Sequence, residues 1–220
     1  MSFSQRIQEA IESFHLLSHP FYQAWNKGEL SSETLQYYAS QYYHHVKAFP
    51  RYISATHSKC EDPQARKILL ENLMDEEGAQ GQPHPELWMQ FATALGCNEK
   101  EVEKTQEDEI KEVIETFFSQ SNASYERGLA ALYAYEYQVP EVATTKIEGL
   151  KKHYNVSSKE GLSFFEVHKE ADVYHRQACE SILDNIPEDK QPQALEAAQQ
   201  AGRALWNFLT KVYMRQILPS

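Results

Sequence analysis

The chain has 220 residues, 41% hydrophobic and 12% aromatic, enough apolar surface for one sizeable closed core, so 1–220 is expected to form a single domain. A net charge of -11, with no cluster of Lys and Arg, excludes a nucleic-acid binder that reads phosphates. Three scattered cysteines, Cys60, Cys97 and Cys179, form neither a disulfide framework nor a CxxC metal motif and suit a reducing cytoplasm.

The N-terminal MSFSQRIQEAIESF interrupts its apolar positions with Arg6, Glu9 and Glu12, unlike a signal peptide, and opens a first helix near 4–15. A short helix near 20–26 and a long one near 32–57 follow; Pro50 lacks a backbone donor and is expected to kink or break the long one. Asp62 with Pro63 starts a helix near 63–79. Residues 76–86, EEGAQGQPHPE, hold two glycines and two prolines and read as a loop, before a helix near 85–95 that Gly96 ends. Asn98 with Glu101 forms a capping box, and the acidic run at 99–112 reads as a solvated face. Helices near 107–120, 123–138 and 140–154 come next, with Pro140 separating the last two. Ser157 with Glu160 caps a helix near 158–184, and a final helix covers 191–216. With some of these short or joined, the expectation is an all-α, up-and-down bundle of about seven to eight helices. The longest apolar runs, such as LAALYAY at 129–135, fall far below the roughly 20 residues that span a bilayer, so no membrane association is expected.

Three groups of residues carry chemistry. His168, Asp172 and His175 fall at offsets of four and seven, within roughly 60° of arc on a helix, so they share one stripe. That stripe is either a metal-binding face or a solvated one with i,i+4 pairs. Glu136 extends an apolar stripe with Leu129, Leu132 and Tyr133; it is either a buried acid paired with a tyrosine hydroxyl or arginine, or a ligand. Glu76 and His84 flank the 76–86 loop. Three carboxylates and three imidazoles suit two divalent first-row metals in a helical bundle better than structural zinc or calcium. Spacing alone does not bring these segments together.

NLMDEE with the downstream His84, ALYAYEYQVP and HKEADVYH resemble the corresponding blocks of the CADD-like family, named for a chlamydial protein associating with death domains. FYQAWNKGEL and YYHHVKAFPRYISATHSKC match as well, so the likeness runs from about residue 14 to 180. The wider superfamily comprises TenA thiaminases and the pyrroloquinoline quinone synthase PqqC, built on the haem-oxygenase-like helical bundle. The resemblance implies a cytoplasmic, homodimeric, dinuclear oxygenase with Fe/Fe or Fe/Mn, using O2 and an external reductant to form para-aminobenzoate for folate. It implies Glu76, His84, Glu136, His168, Asp172 and His175 as ligands, Tyr22 as the tyrosine that gives up its ring, and Lys146 as the amino donor. The loop between Glu76 and His84 is one residue longer than the family's, which leaves Glu77 as a substitute ligand.

A lysine must be neutral to act as a nucleophile, and burial lowers its pKa toward that state. Any one of 13 tyrosines is more commonly a packing residue, so Tyr22 carries weight only through the resemblance; radical transfer through Tyr42, Tyr43, Tyr135 or Tyr174 is a secondary expectation. Two rival functions come from other classes. A PqqC-like or TenA-like enzyme would act on an external heterocyclic substrate, and a death-domain-binding protein would dock a partner through an acidic helical surface.

Overall fold

The computed structural model describes residues 1–79, 81–104 and 106–217, with the side chains of 170–175 outside that description. Among the described residues there is no strand: ten helices have eight residues or more, and one has six. They are α1 (Phe3–Ile11), α2 (Pro20–Lys27), α3 (Ser32–Lys59), α4 (Pro63–Glu76), α5 (His84–Ala94), α6 (Glu99–Lys104), α7 (Asp108–Ala123), α8 (Tyr125–Glu136), α9 (Val139–His153), α10 (Lys159–Leu183) and α11 (Gln191–Ile217). The number exceeds the seven to eight expected because neighbouring segments separate rather than join. Ser124, in extended backbone, ends α7 and caps α8 by accepting from the Arg127 amide at 3.3 Å. Pro140 lies in the first turn of α9, where a helix leaves its amides unpaired anyway.

Other boundaries follow local chemistry. Asp62 caps α4 through the amides of Gln64 and Ala65, each at 3.2 Å, with Pro63 as its first residue. Asn98 Oδ1 caps α6. Ser158 rather than Ser157 caps α10, accepting from Gly161 at 3.1 Å. Pro50 does not break α3, which runs for 28 residues. Val46, Phe49, Tyr52 and Ile53 around it are buried, and packing of that face outweighs a penalty of about 3 kcal/mol.

The sequence LAALYAY explains the centre of the bundle. An apolar run without a polar face is suited to a helix enclosed on all sides, and every residue of α8 from Gly128 to Glu136 is buried. Helix α8 packs against α11, α7, α3 and α10. One continuous core includes residues from Phe3 in α1 to Val212 in α11. No helix among the described residues is long and apolar enough to cross a membrane.

Candidate metal centre

Helix α4 ends where the site begins. Gly78 adopts φ +76°, and its amide donates to the Asp75 carbonyl at 3.0 Å while the Ala79 amide reaches the Met74 carbonyl at 2.8 Å. This glycine-dependent stop turns the chain just after Glu76. The loop is shorter than 76–86: Glu76 is the last residue of α4, and His84 is the first of α5.

Those two ends meet His168 of α10. Glu76, His84 and His168 are 6%, 5% and 3% exposed, and one donor atom from each lies within 4.8 Å of the others. Glu76 Oε2 is 2.8 Å from His84 Nδ1, and Glu76 Oε1 is 4.0 Å from His168 Nε2. The His168 Nδ1 lies 2.6 Å from the Phe164 carbonyl, which can only accept, so Nδ1 carries a proton and Nε2 is the nitrogen that faces Glu76. Histidine ligands are commonly oriented this way. His84 Nδ1 is buried and makes no hydrogen bond of acceptable geometry even though a carboxylate oxygen is close. At 2.8 Å the two atoms form an ion pair when His84 carries a second proton, and are two donors facing a shared cation when a metal takes its place. Burial works against a proton on His84, but the Glu76 carboxylate, helped by Asp75, outweighs it and raises the pKa above its usual value. The oxygen and nitrogen donors suit iron or manganese.

Glu136, the last residue of α8, is 4% exposed and accepts from Asn72 Nδ2 at 2.6 Å. Asn72 stands one turn before Glu76 on α4, so this bond ties Glu136 to the helix face that carries Glu76. Glu77 is exposed and outside the buried group. Asp172 and His175 lie along α10, but their side chains are outside the described residues.

Beside this group is an aromatic chamber. Val139, Val142, Ala143, Lys146, Ile147 and Leu150 form the buried stripe of α9, so Lys146 occupies a core position. Its ammonium lies 4.9–5.7 Å from the ring centres of Tyr22, Tyr38, Tyr42, Trp88 and Phe165, supplied by α2, α3, α5 and α10. Nζ donates to the Tyr38 hydroxyl at 2.6 Å, and the Tyr38 and Tyr22 hydroxyls are hydrogen-bonded in turn. Burial lowers the Lys146 pKa to about 7 and raises that of Tyr22, so the amine is readily neutral while the phenol keeps its proton. A cavity of about 20 Å³ touches Tyr22, Lys146, Tyr135, Phe164 and His168, which joins the chamber to the buried Glu76, His84 and His168 group.

Sequence reasoning missed Tyr38, Asn72 and Cys179. A helical offset of four was available as a signal for two of them: Asn72 to Glu76 and His175 to Cys179. Tyr38 had no local signal, since it meets Lys146 across 108 residues.

Residues 36–207 match the sequence profile of a family described as iron-containing redox enzymes, haem-oxygenase-like. A protein of Chlamydia muridarum named 4-aminobenzoate synthase is 43% identical over 95% of this chain and 89% of its own. One of the same name from Nitrosomonas europaea is 39% identical over 96% of this chain and 91% of its own. The crystal structure of a CADD-like protein of unknown function from Nostoc punctiforme superposes with a TM-score of 0.82 at 16% identity, covering 98% of this chain and 97% of that one, which shows the shared fold. The chain belongs to the CADD-like family of iron-containing redox enzymes, the family that includes the relatives named 4-aminobenzoate synthase.

Proposed function

We propose that this protein forms 4-aminobenzoate, a folate precursor, from O2, an external reductant and its own side chains: Tyr22 supplies the aromatic ring and Lys146 the nitrogen. The names of its relatives support the product. The size of the chamber is the observation that carries the tyrosine origin. Pockets for small molecules usually hold about 300–1,000 Å³. The cavity between Tyr22, Lys146 and His168 is about 20 Å³, room for about one water or a diatomic gas but not for an external aromatic substrate. The rings that border it, those of Tyr22, Tyr42, Trp88, Tyr135, Phe164 and Phe165, all belong to the protein, and Tyr22 is the one the family resemblance assigns.

Bound iron, alone or with manganese, supplies the electron transfer that activates O2. Glu76, His84 and His168, with Glu136, Asp172 and His175, hold a pair of ions in this scheme. Phe164 orients His168 through its carbonyl, and Trp88 and Phe165 exclude water from the lysine. Near neutral pH, Lys146 has a substantial neutral fraction with a free lone pair, as a nitrogen donor requires. Hydrogen bonds from Lys146 to Tyr38 and between Tyr38 and Tyr22 provide a path for protons between amine and phenol.

The test is anaerobic loading of the metal-free protein with ferrous iron, with and without manganese, followed by O2 and ascorbate. The expected result is 4-aminobenzoate from the parent and none from Tyr22→Phe at equal metal content. Equal product from Tyr22→Phe refutes the scheme, and points to another tyrosine of the chamber or to an external substrate.

A further inference from the structure

Asn72 and Cys179 have no part in the scheme above, yet both end on Glu136. Asn72 Nδ2 donates to Oε1 at 2.6 Å, and Cys179 Sγ donates to Oε2 at 3.4 Å, so each carboxylate oxygen has its own donor. All three residues are buried. The donors arrive from α4 and α10, the helices that carry Glu76 and His168. Asn72 precedes Glu76 by one turn and Cys179 follows His168 by eleven residues, about three turns, so each shares a helix face with a residue of the buried group.

We propose that Asn72 and Cys179 are positioning residues that fix the Glu136 carboxylate to receive a metal ion where α8 meets α4 and α10. This rests on Glu136 being a ligand. A carboxylate has about four lone-pair sites on its two oxygens, so accepting from Asn72 and Cys179 is compatible with binding a cation. Cys179 is not itself a ligand in this arrangement, because metal binding takes the thiolate and a donating thiol is protonated. The two donors prevent the carboxylate from rotating about its terminal torsion, which is otherwise broad and soft. Outer partners of ligating carboxylates commonly change metal affinity by about 10–100-fold. The shorter amide bond is expected to contribute more than the thiol bond.

The experiment is titration of the full-length, metal-free protein with ferrous iron under argon against a competing chelator. Manganese(II) electron paramagnetic resonance on the same variants reports the ligand field directly. Thermal melts of the metal-free variants establish that each is folded. Glu136→Gln and Asn72→Leu are expected to weaken ferrous binding about 10–100-fold and alter the manganese spectrum. Cys179→Ala is expected to lose less, and Cys179→Ser, which restores a donor in the same place, to match the parent. If Asn72→Leu does not fold, the Cys179→Ala and Cys179→Ser pair decides. Weak binding by Glu136→Gln with parental binding and spectra in Asn72→Leu and Cys179→Ala overturns the positioning role and leaves Glu136 as a ligand. Parental binding by Glu136→Gln overturns the ligand assignment and the proposal together.

Discussion

Replacing Lys146 by Met removes an ionisation from the centre of an aromatic chamber while retaining most of the side-chain volume. Burial lowers the Lys146 pKa from 10.5 to about 7. The unfolded chain holds that proton up to pH near 10.5, whereas the folded protein releases it near pH 7. Between these values the unfolded state binds more protons, so stability rises with pH. The cost is fully present below pH 7 and disappears above 10.5. Linkage puts it at about 4 kcal/mol at pH 7 and about 2 kcal/mol at pH 9. Five rings within 5.7 Å attract the ammonium form, which makes these figures upper limits. The assay is urea unfolding of the metal-free parent and Lys146→Met at half-unit steps from pH 6.5 to 9.5. The difference between them isolates Lys146 from the buried tyrosines, which titrate higher. Lys146→Met is expected to be the more stable by several kcal/mol at pH 7, on the order of the linkage cost, with an advantage that shrinks toward pH 9. A constant difference across the series refutes the neutral-lysine argument.

The same series, extended down to about pH 5, tests Tyr38→Phe, which keeps the ring but removes the hydroxyl that accepts from Lys146 at 2.6 Å. Loss of a hydrogen bond to a charged group, about 1.5–3 kcal/mol, should lower the Lys146 pKa by about one to two units and extend the rising part of the stability curve to lower pH, its upper end staying where the unfolded chain sets it. An unmoved curve removes Tyr38 from that role. Ferrous iron at about 100 times its Kd should stabilise the anaerobic parent by about 2.7 kcal/mol, and His84→Ala should lose most of that gain in a thermal melt. Equal stabilisation of both proteins separates His84 from the centre. Gly149→Ala places a methyl group against buried Trp25, overlapping Nε1 and 2.6 Å from Cδ1. Overpacking of about 1–3 kcal/mol should exceed the helix-propensity gain of about 1 kcal/mol, so the urea midpoint should fall; a higher midpoint shows that the indole can move aside.

The helical class was legible because its signals are local. Asp62 with Pro63, Asn98, Pro140 and Gly96 all mark boundaries through neighbouring atoms, as they do in the structure. Pro50 does not end its helix, because its cost is local whereas its compensation comes from distant helices packed on α3. The capping signal at Ser157 was displaced by one residue because Ser158 offers the same hydroxyl. Glu136 carried a signal of its own, an acid in a helix too apolar for the surface. Its partner Asn72 did not, since their bond links residues 64 apart. The approach of Glu76, His84 and His168 likewise depends on three helix termini and faces, which periodicity cannot bring together. The family resemblance supplied what spacing did not for Tyr22 and Lys146, and the structure adds their shared cavity.

The most direct measurement of the central claim uses protein synthesised with ring-carbon-13 tyrosine and no other source of labelled aromatic. It is loaded with ferrous iron, with and without manganese, and exposed to O2 and unlabelled ascorbate. The account predicts released 4-aminobenzoate with a fully labelled ring, and a matching loss of the side chain in the peptide that contains Tyr22. Unlabelled product, or labelled product with the Tyr22 peptide intact, contradicts it.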